Sequence, residues 1–166
     1  MAYAGTAAYT GEGTILSVLD TNNSPADYVE VEEVRNLDFT GSKADTPDVT
    51  NMDSAQSAGA YREFISALLD SGELSFTCNH VPGATGQELI NQYFEDRGRH
   101  DFKVTLPLQS LNGGQGPSGG SHTTPGYITF KAIVSESRNL AFPVDKEVSF
   151  TAKLKITGAR TFTPEQ

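Results

Sequence analysis

Alternation of hydrophobic and polar positions is the main pattern along this chain, and it predicts β-strands. The segment from Val148 to Thr157 shows it most clearly, with Val, Phe, Ala, Leu and Ile on one face and Ser, Thr and Lys on the other. Similar patterns predict strands over Thr14 to Asp20, Glu73 to His80, Phe102 to Leu106 and Tyr127 to Val134. Because successive side chains point to opposite faces of a strand, each pattern predicts one face buried in a common core.

A longer strand is predicted from Tyr28 to Thr40, although its alternation changes parity. Its first half places valines on one face and Glu30 and Glu32 on the other, whereas the apolar residues of its second half fall out of step. A β-bulge near Glu33 would return all the apolar residues to one face, because a bulge inserts one extra residue into a strand.

One helix is predicted from Thr85 to Arg97. Thr85 and Glu88 form a T-x-x-E capping box, and Gly98 follows as a natural residue to end the helix. The apolar side chains recur at helical spacing and form a single stripe, which comprises Leu89, Ile90, Tyr93 and Phe94. We expect this helix to lie against one face of a sheet.

The region between the predicted strands contains a polar loop and a second apolar cluster. Gly41 to Pro47 is a polar loop, and Asp48 to Met52 is extended. Ala60 to Asp70 is interpreted as a short helix or a pair of turns that ends at Ser71-Gly72, because its apolar residues have helical spacing.

Length and composition favour one mostly β domain over residues 1–166. The chain has 16 glycines and 8 prolines, and 37% of its residues are hydrophobic, so it is globular and rich in turns. Residues 1–13 are predicted to form a flexible N-terminal arm and residues 159–166 a C-terminal tail. Residues 108–125 are predicted to form a mobile Gly-rich loop.

The net charge argues against a protein that grips nucleic acid. The formal charge is −9 and the pI about 4.7, whereas binding to phosphates needs a basic surface. Acidity suits a surface that DNA passes without sticking, and it is equally typical of a protein that simply needs solubility.

No constellation in the sequence supports catalysis or a cofactor. The three histidines lack metal-ligand spacing, and the acidic run around Asp48 lacks the central glycine and terminal glutamate of a calcium loop. Cys78 alternates with apolar residues and is interpreted as a core residue. No signal peptide or membrane-spanning segment is recognised, so we expect synthesis in the cytoplasm and no membrane insertion.

Several motifs occur in a specific order along the chain. They are G-T-I-L-S-V at residue 13, V-E-E-V-R-N-L-D-F-T-G at residue 31, D-V-T-N-M-D-S with Y-R-E-F, D-S-G-E-L-S-F-T, and the closing P-V-D-K-E-V-S-F-T-A-K-L-K-I-T-G. This ordered set resembles the major tail tube proteins of long-tailed, siphovirus-type bacteriophages and covers most of the chain. The Gly-rich loop is longer than the family pattern needs.

The resemblance implies a two-sheet β-sandwich or barrel flanked by one α-helix. It implies a structural virion protein, made in the host cytoplasm, whose six-membered rings stack into a hollow tail tube that conducts DNA during ejection. The implied partners are further copies of the chain, the tape measure protein, the tail terminator and distal tail proteins. DNA would pass through the tube without specific binding, and no cofactor or enzymatic activity is implied.

Two sets of residues are candidates for roles in such a tube. Contacts between subunits or rings are predicted for Lys43, Asp45, Asp48, Val49, Thr50, Arg62 and Glu63. Glu30 and Glu32 are predicted to face the lumen, where acidic groups would repel DNA. Two alternatives remain open at this point, namely the tube of a contractile injection system and a monomeric capsid decoration or binding module.

Overall fold

The computed structural model describes residues 11–22, 24–50, 62–107 and 124–164. The predicted arm, the Gly-rich loop and the C-terminal tail therefore lie wholly or partly outside the described residues. The elements in chain order are β1 Ile15–Asp20, β2 Asp27–Glu30, β3 Val34–Phe39, β4 Lys43–Ala44, β5 Leu69–Asp70, β6 Glu73–Asn79, α1 Thr85–Asp96, β7 His100–Thr105, β8 Tyr127–Ala141 and β9 Ser149–Thr163.

The strands form a large antiparallel sheet that curls on itself. Seven strands pair in the order β2-β1-β7-β8-β9-β6-β3, and β4 and β5 form a separate pair. Residues 31–33 join the two outermost strands, so the ends of the sheet lie close together. The ring of Phe39 on the last strand lies 5.6 Å from that of Phe130 on the central strand β8. The mostly β fold is confirmed, in the form of a curled, barrel-like body.

The core fills the inside of this curled sheet. It is built from the apolar face of each strand, as the alternation predicted, and Leu74, Phe76 and Cys78 of β6 are all at most 1% exposed. Other members include Leu16, Val18, Phe102, Val104, Phe150, Ala152 and Leu154.

Helix α1 closes one end of the body, which we call the helix end. The hydroxyl of Tyr93 donates a hydrogen bond to the carbonyl of Leu19 at 2.8 Å, and Gln87 Nε2 donates to the carbonyl of Asn79 at 2.8 Å. Leu19 and Asn79 lie at the ends of β1 and β6. The helix therefore covers the end where these strands stop, with Leu89 and Ile90 buried in the core.

The helix is confirmed, but both of its predicted caps are wrong. Ala84 occupies the N-cap without a side-chain hydrogen bond, and Arg97 adopts the left-handed conformation (φ 57°) instead of Gly98. The N-terminal Gly86 N–H instead donates to the carboxylate of Glu32 at 3.3 Å. A contact with Glu32, in the segment of residues 31–33 that joins β2 to β3, thus replaces the local capping box.

The predicted strand from Tyr28 to Thr40 is two strands at opposite edges of the sheet. β2 pairs with β1, and β3 pairs with β6. Between them Glu33 adopts φ 56°, which reverses the chain, and a register shift follows at the start of β3. The prediction of one continuous strand is therefore wrong, because the chain crosses between sheet edges. The predicted irregularity near Glu33 is present as the register shift between Val34 and Asn36, which leaves Val34, Leu37 and Phe39 packed against the core.

The two last strands are longer than the sequence pattern indicates. β8 continues to Ala141, and β9 passes through Gly158 to pair Thr163 with Tyr127. Gly158 adopts φ 80°, next to a register shift in the opposite strand. Its glycine permits a bend there, so the strand continues where an ending was expected.

The predicted helix or turns over Ala60 to Asp70 are wrong for residues 62–70, which are extended. This segment pairs along its length with residues 43–50. Helical spacing of its apolar residues did not produce a helix because nothing in the described body covers them, and burial of an apolar face is what usually stabilises a short helix.

Candidate assembly surfaces

A two-stranded ribbon leaves the body at the end opposite the helix. We define the ribbon as residues 43–50 and 62–70. Its pairing starts at Lys43 with Asp70, continues through Asp45 N to Leu68 O at 3.0 Å, and reaches Val49 N to Glu63 O at 2.9 Å. It grows from the end of β3 and the start of β6, so we call this the ribbon end.

Apolar side chains are exposed along the ribbon. Leu68 is 86% exposed, Leu69 77%, Phe64 56% and Ile65 53%. A cluster of large exposed apolar residues on one element is typical of a surface that another chain covers. The sequence analysis assigned these residues to a short helix or a pair of turns because of their helical spacing.

The far end of the ribbon brings five predicted contact residues together. Arg62 Nη1 lies 3.8 Å from Asp48 Oδ2, and Glu63 N donates to Thr50 Oγ1 at 2.9 Å. The Thr50 hydroxyl also donates to Asp48 and, with the Thr50 N–H, holds the pKa of that carboxyl below its usual value. Val49 lies between them and is 40% exposed.

The near end of the ribbon is attached to the body by charged groups. Lys155 Nζ lies 3.0 Å from Asp70 Oδ2 and 3.7 Å from Glu73 Oε1. The N–H of Gly72 and the ammonium of Lys155 lower the pKa of Asp70, and the hydrogen bond to Asp70 raises the pKa of Lys155. Ser71 Oγ also donates to the carbonyl of Gly158 on β9. All seven predicted contact residues thus lie on one anchored ribbon.

Several strand edges of the body have no strand partner among the described residues, including the outer edge of β2, and two of them flank one section of the sheet. One is the outer edge of β3, the last strand of the sheet. The other belongs to β8 from residue 133 onward, because its pairing with β7 ends at Ala132. These edges bound a four-stranded section of the sheet, in the order β8-β9-β6-β3.

The outward face of this section, which we call the polar face, carries paired charges. Lys153 Nζ lies 2.8 Å from Glu136 Oε1, and this hydrogen bond raises the pKa of Lys153. Lys155 is held by Asp70 and Glu73, as described above. Both lysines of β9 are therefore neutralised by carboxylates of the same chain.

The predicted lumen residues do not share a strand face. Glu30 ends β2 and is exposed. Glu32 lies in the crossover, where Oε1 accepts a hydrogen bond from Gly86 at the start of α1 and Oε2 is buried with no hydrogen-bond partner among the described atoms. The prediction that Glu30 and Glu32 share one polar face depended on a single strand from Tyr28 to Thr40. The structure divides that segment into β2 and β3.

The described residues contain no group of three or more His, Cys, Asp or Glu side chains placed to hold a metal ion. His100 stacks on Tyr93 with ring centroids 3.6 Å apart and lies 3.1 Å from Asp96, so it packs against the helix. Cys78 is fully buried, and burial raises the pKa of its thiol to about 12, consistent with a core role. No helix in the described part of the chain is long and apolar enough to cross a membrane.

The family whose model matches this chain is one of tail tube proteins, which are structural proteins of phage tails. Residues 7–117 match the family described as lambda phage tail tube protein, and the chain belongs to this family. No curated protein sequence matches the chain.

Solved structures with the same fold come from a particle tail, a tail tube and a baseplate. A tail protein of an empty gene transfer agent (GTA) particle, refined with C6 symmetry, has a TM-score of 0.64 and 19% identity, and the match covers 94% of this chain and 99% of that one. The SPP1 tail tube has a TM-score of 0.65 and 11% identity, and the match covers 94% of this chain and 79% of that one. A chain of the anti-feeding prophage baseplate has a TM-score of 0.67 and 9% identity, and the match covers 96% of this chain and 97% of that one.

Proposed function

We propose that this tail tube protein assembles into six-membered rings that stack into the hollow tube of a phage tail and conduct DNA during ejection. The observation that carries the proposal is the ribbon, whose large apolar side chains lie outside a body with a complete core. Family membership supports assembly into rings, and the C6 symmetry of the similar GTA tail supports six subunits in each ring. The role is structural, with no catalytic step.

Rings close through the two free edges of the four-stranded section. Strand direction alternates across β8, β9, β6 and β3, because every pairing is antiparallel. The outer edge of β3 can therefore pair with β8 of the next subunit and continue the antiparallel alternation without a break. Repetition of this head-to-tail contact gives a closed ring with one continuous barrel.

Rings stack through the ribbon. Its exposed apolar residues and its far-end group of Asp48, Val49, Thr50, Arg62 and Glu63 contact a subunit of the neighbouring ring. Lys43 and Asp45 belong to the same surface at its near end. Burial of apolar side chains would provide most of the free energy of this contact.

The channel is lined by the polar face. It carries the carboxylates of Asp70, Glu73 and Glu136 around Lys153 and Lys155, so both lysines of β9 are already paired with carboxylates of their own chain and are less available to phosphate groups. Glu30 is a second acidic candidate because its side chain is exposed. Glu32 is a weaker candidate, since it already binds the helix.

The remaining partners follow from the same role. A tail tube that encloses a tape measure protein and ends at a terminator and distal tail proteins would present its polar face and its two ring surfaces to them. DNA would pass without sequence-specific contacts.

Negative-stain microscopy with size-exclusion chromatography tests the proposal. Purified protein should form rings or hollow tubes, with a lag at low concentration. A strictly monomeric species at high concentration and at every salt concentration would overturn it.

The ribbon contact has its own test. Leu68→Ser/Leu69→Ser should abolish tubes and leave the circular dichroism spectrum and Tm of the monomer unchanged. Phe94→Ser is a matched control, because Phe94 is 41% exposed on the helix of the body. Tubes in normal yield from the ribbon variant would refute this contact.

A further inference from the structure

A second group of exposed apolar side chains lies at the helix end, and the contacts proposed above do not use it. It belongs to residues 142–148, which join β8 to β9 and which we call the tip. Phe142 is 72% exposed, and Val144 is fully exposed. The tip is therefore an uncovered apolar surface of the same kind as the ribbon.

Backbone and charged contacts hold the tip in place at the end of the sheet. His80, which follows the end of β6, donates its N–H to the carbonyl of Val148 at 2.8 Å. At the start of β3, Arg35 Nη1 lies 3.6 Å from Glu147 Oε2. These contacts fix one side of the tip and leave its large apolar side chains uncovered among the described residues.

A recess lies beside the tip, between the base of the β8–β9 hairpin and α1. Its volume is about 230 Å³, and its walls include Gln87, Asn91, Leu140 and Phe150. Arg138 adopts φ 56° at a register shift between β8 and β9, so the hairpin bends near its base. The helix end thus presents an apolar ridge with a hollow next to it, a shape that a second apolar element can fit closely.

The tip and the ribbon lie at opposite ends of the same strand. The ribbon ends just before Glu73, where β6 begins, whereas His80 after the other end of β6 contacts the tip. The seven residues of β6 separate the two surfaces by roughly 23 Å. Because the ribbon also points away from the body, the tip cannot cover the ribbon of its own chain.

In a stack of identical rings, the ribbon end of one subunit faces the helix end of the next, because the contact runs head to tail. Outside the ribbon and the tip, Phe162 is the only large apolar side chain of the described residues that is more than half exposed. Phe162 pairs with Ile128 near the start of β8, at the ribbon end. At the helix end, the tip is therefore the most exposed apolar surface in the described part of the chain.

We propose that the tip is the docking surface for the ribbon of a second copy in the adjacent ring. Leu68 and Leu69 of one subunit pack on Phe142 and Val144 of the next, beside the recess. The proposal rests on the stacked tube proposed above and names the surface that the ribbon contacts. Each subunit then gives its ribbon to one neighbour and its tip to the other, so rings add in one orientation and the tube is polar.

Removal of the apolar side chains of the tip is the first test. Phe142→Ser/Val144→Ser should weaken ring stacking by more than about tenfold, because burial of one large apolar side chain is worth at least about that factor in an equilibrium constant. The circular dichroism spectrum and Tm of the monomer should stay unchanged. Phe94→Ser, at the same end of the body, is the matched control and should stack normally. Tubes in normal yield from the tip variant would overturn the proposal.

A mixture of two variants tests the pairing itself. Rings of Leu68→Ser/Leu69→Ser keep an intact tip, and rings of Phe142→Ser/Val144→Ser keep an intact ribbon. When they are prepared separately and then mixed, one kind of ribbon–tip contact can form. Negative-stain images should therefore show stacks of two rings and no tubes, whereas each variant alone gives single rings. Mixed rings that stay single would overturn the proposal, because the ribbon would then contact a different surface.

The same mixture separates failure of this contact from failure of the tube function. If the unmodified protein forms no rings, the proposed function fails, and the two variants can still be mixed as monomers at high concentration. A 1:1 complex in sedimentation velocity that neither variant forms alone would support the contact between ribbon and tip. Absence of that complex would overturn it.

Discussion

The body and the ribbon both contain large apolar residues, but these residues are buried in the body and exposed in the ribbon. In the body, large apolar side chains such as Phe102 and Leu154 are fully buried. In the ribbon, Leu68 and Leu69 are more than three-quarters exposed, although backbone hydrogen bonds hold their strand in place. The body completes its own core, whereas the large apolar side chains of the ribbon are not covered by the described part of the chain.

This contrast shows that hydrophobicity along a sequence does not say which chain will bury a residue. In the body, an apolar side chain stabilises the fold. In the assembly proposed above, an apolar side chain of the ribbon would stabilise the contact between subunits. A structural protein that polymerises needs both kinds, and it needs them separated so that the subunit folds before it assembles. The anchor of Asp70, Lys155 and Ser71 marks the boundary between them.

Truncation of one apolar residue in each region should give the largest difference. Phe102→Ala should lower the free energy of unfolding by about 3–5 kcal/mol, since it leaves a cavity in the core. Leu68→Ala should change it by less than about 0.5 kcal/mol, because the side chain is exposed in the monomer. Urea titration of monomers measures both values, and equal losses would refute the division.

The sequence predicts the body better than the ribbon for a physical reason. Strands whose alternate residues face the core, such as β6 and β9, show a hydrophobic period of two, and the sequence therefore predicts both. Residues 62–70 place their apolar residues at helical spacing, but the large ones are exposed, so no packing within the described part of the chain stabilises a helix there. A pattern read within one chain therefore assigns them to the wrong element.

The sequence also could not predict the crossover at residues 31–33 or the long-range contact at the start of α1. Nothing local in the segment around Glu33 distinguishes a bulge from a move between sheet edges, because both change parity. The cap of α1 comes from Glu32, more than fifty residues before the helix, instead of from Thr85. The pairing of Lys153 with Glu136 likewise depends on the register of β8 against β9.

A close backbone approach should make Gly86 the next most sensitive position in the body. A Cβ at this residue would collide with the carbonyl of Glu30 and lie 2.8 Å from the Cα of Val31. Gly86→Ala should therefore cost about 1–3 kcal/mol of folding free energy, since the helix must move from its seat. Thermal unfolding measures this loss, and Gly83→Ala is unsuitable as a control because of its positive φ. Thr85→Ala, at an exposed neighbouring position, is the better comparison.

A smaller effect is expected where the ribbon joins the body. Asp70→Asn removes the charge that holds Lys155, so amides of residues 43–45 and 67–70 should exchange faster while the amides of β6 stay protected. Asp38→Asn is the control, since it removes a carboxylate from β3 that does not contact the ribbon. Uniformly faster exchange would show that the ribbon and body open as one unit.

The same anchor should depend on pH in a defined direction. The pKa of Asp70 is lowered, so its contribution is present above the ordinary carboxyl value of 3.8 and is lost as pH falls through the lowered pKa. The pKa of Lys155 is raised, so its contribution is complete below 10.5 and is lost as pH rises through the raised value. Exchange at the base of the ribbon should therefore stay constant, after correction for intrinsic rates, between about pH 4 and pH 10. A change near pH 6–7 would implicate another group.

Thiol reactivity provides the mildest test, because it perturbs neither region strongly. Cys78 is fully buried in β6 and burial raises its pKa to about 12, so it should resist iodoacetamide at pH 8 until the protein unfolds. A cysteine introduced by Leu68→Cys should react at the rate of a free thiol in the monomer and become protected in tubes. The native Cys78 is the internal control in the same molecule. A ribbon thiol that stays reactive after assembly would show that Leu68 faces solvent in the tube, and the exposed apolar surface would then need another occupant.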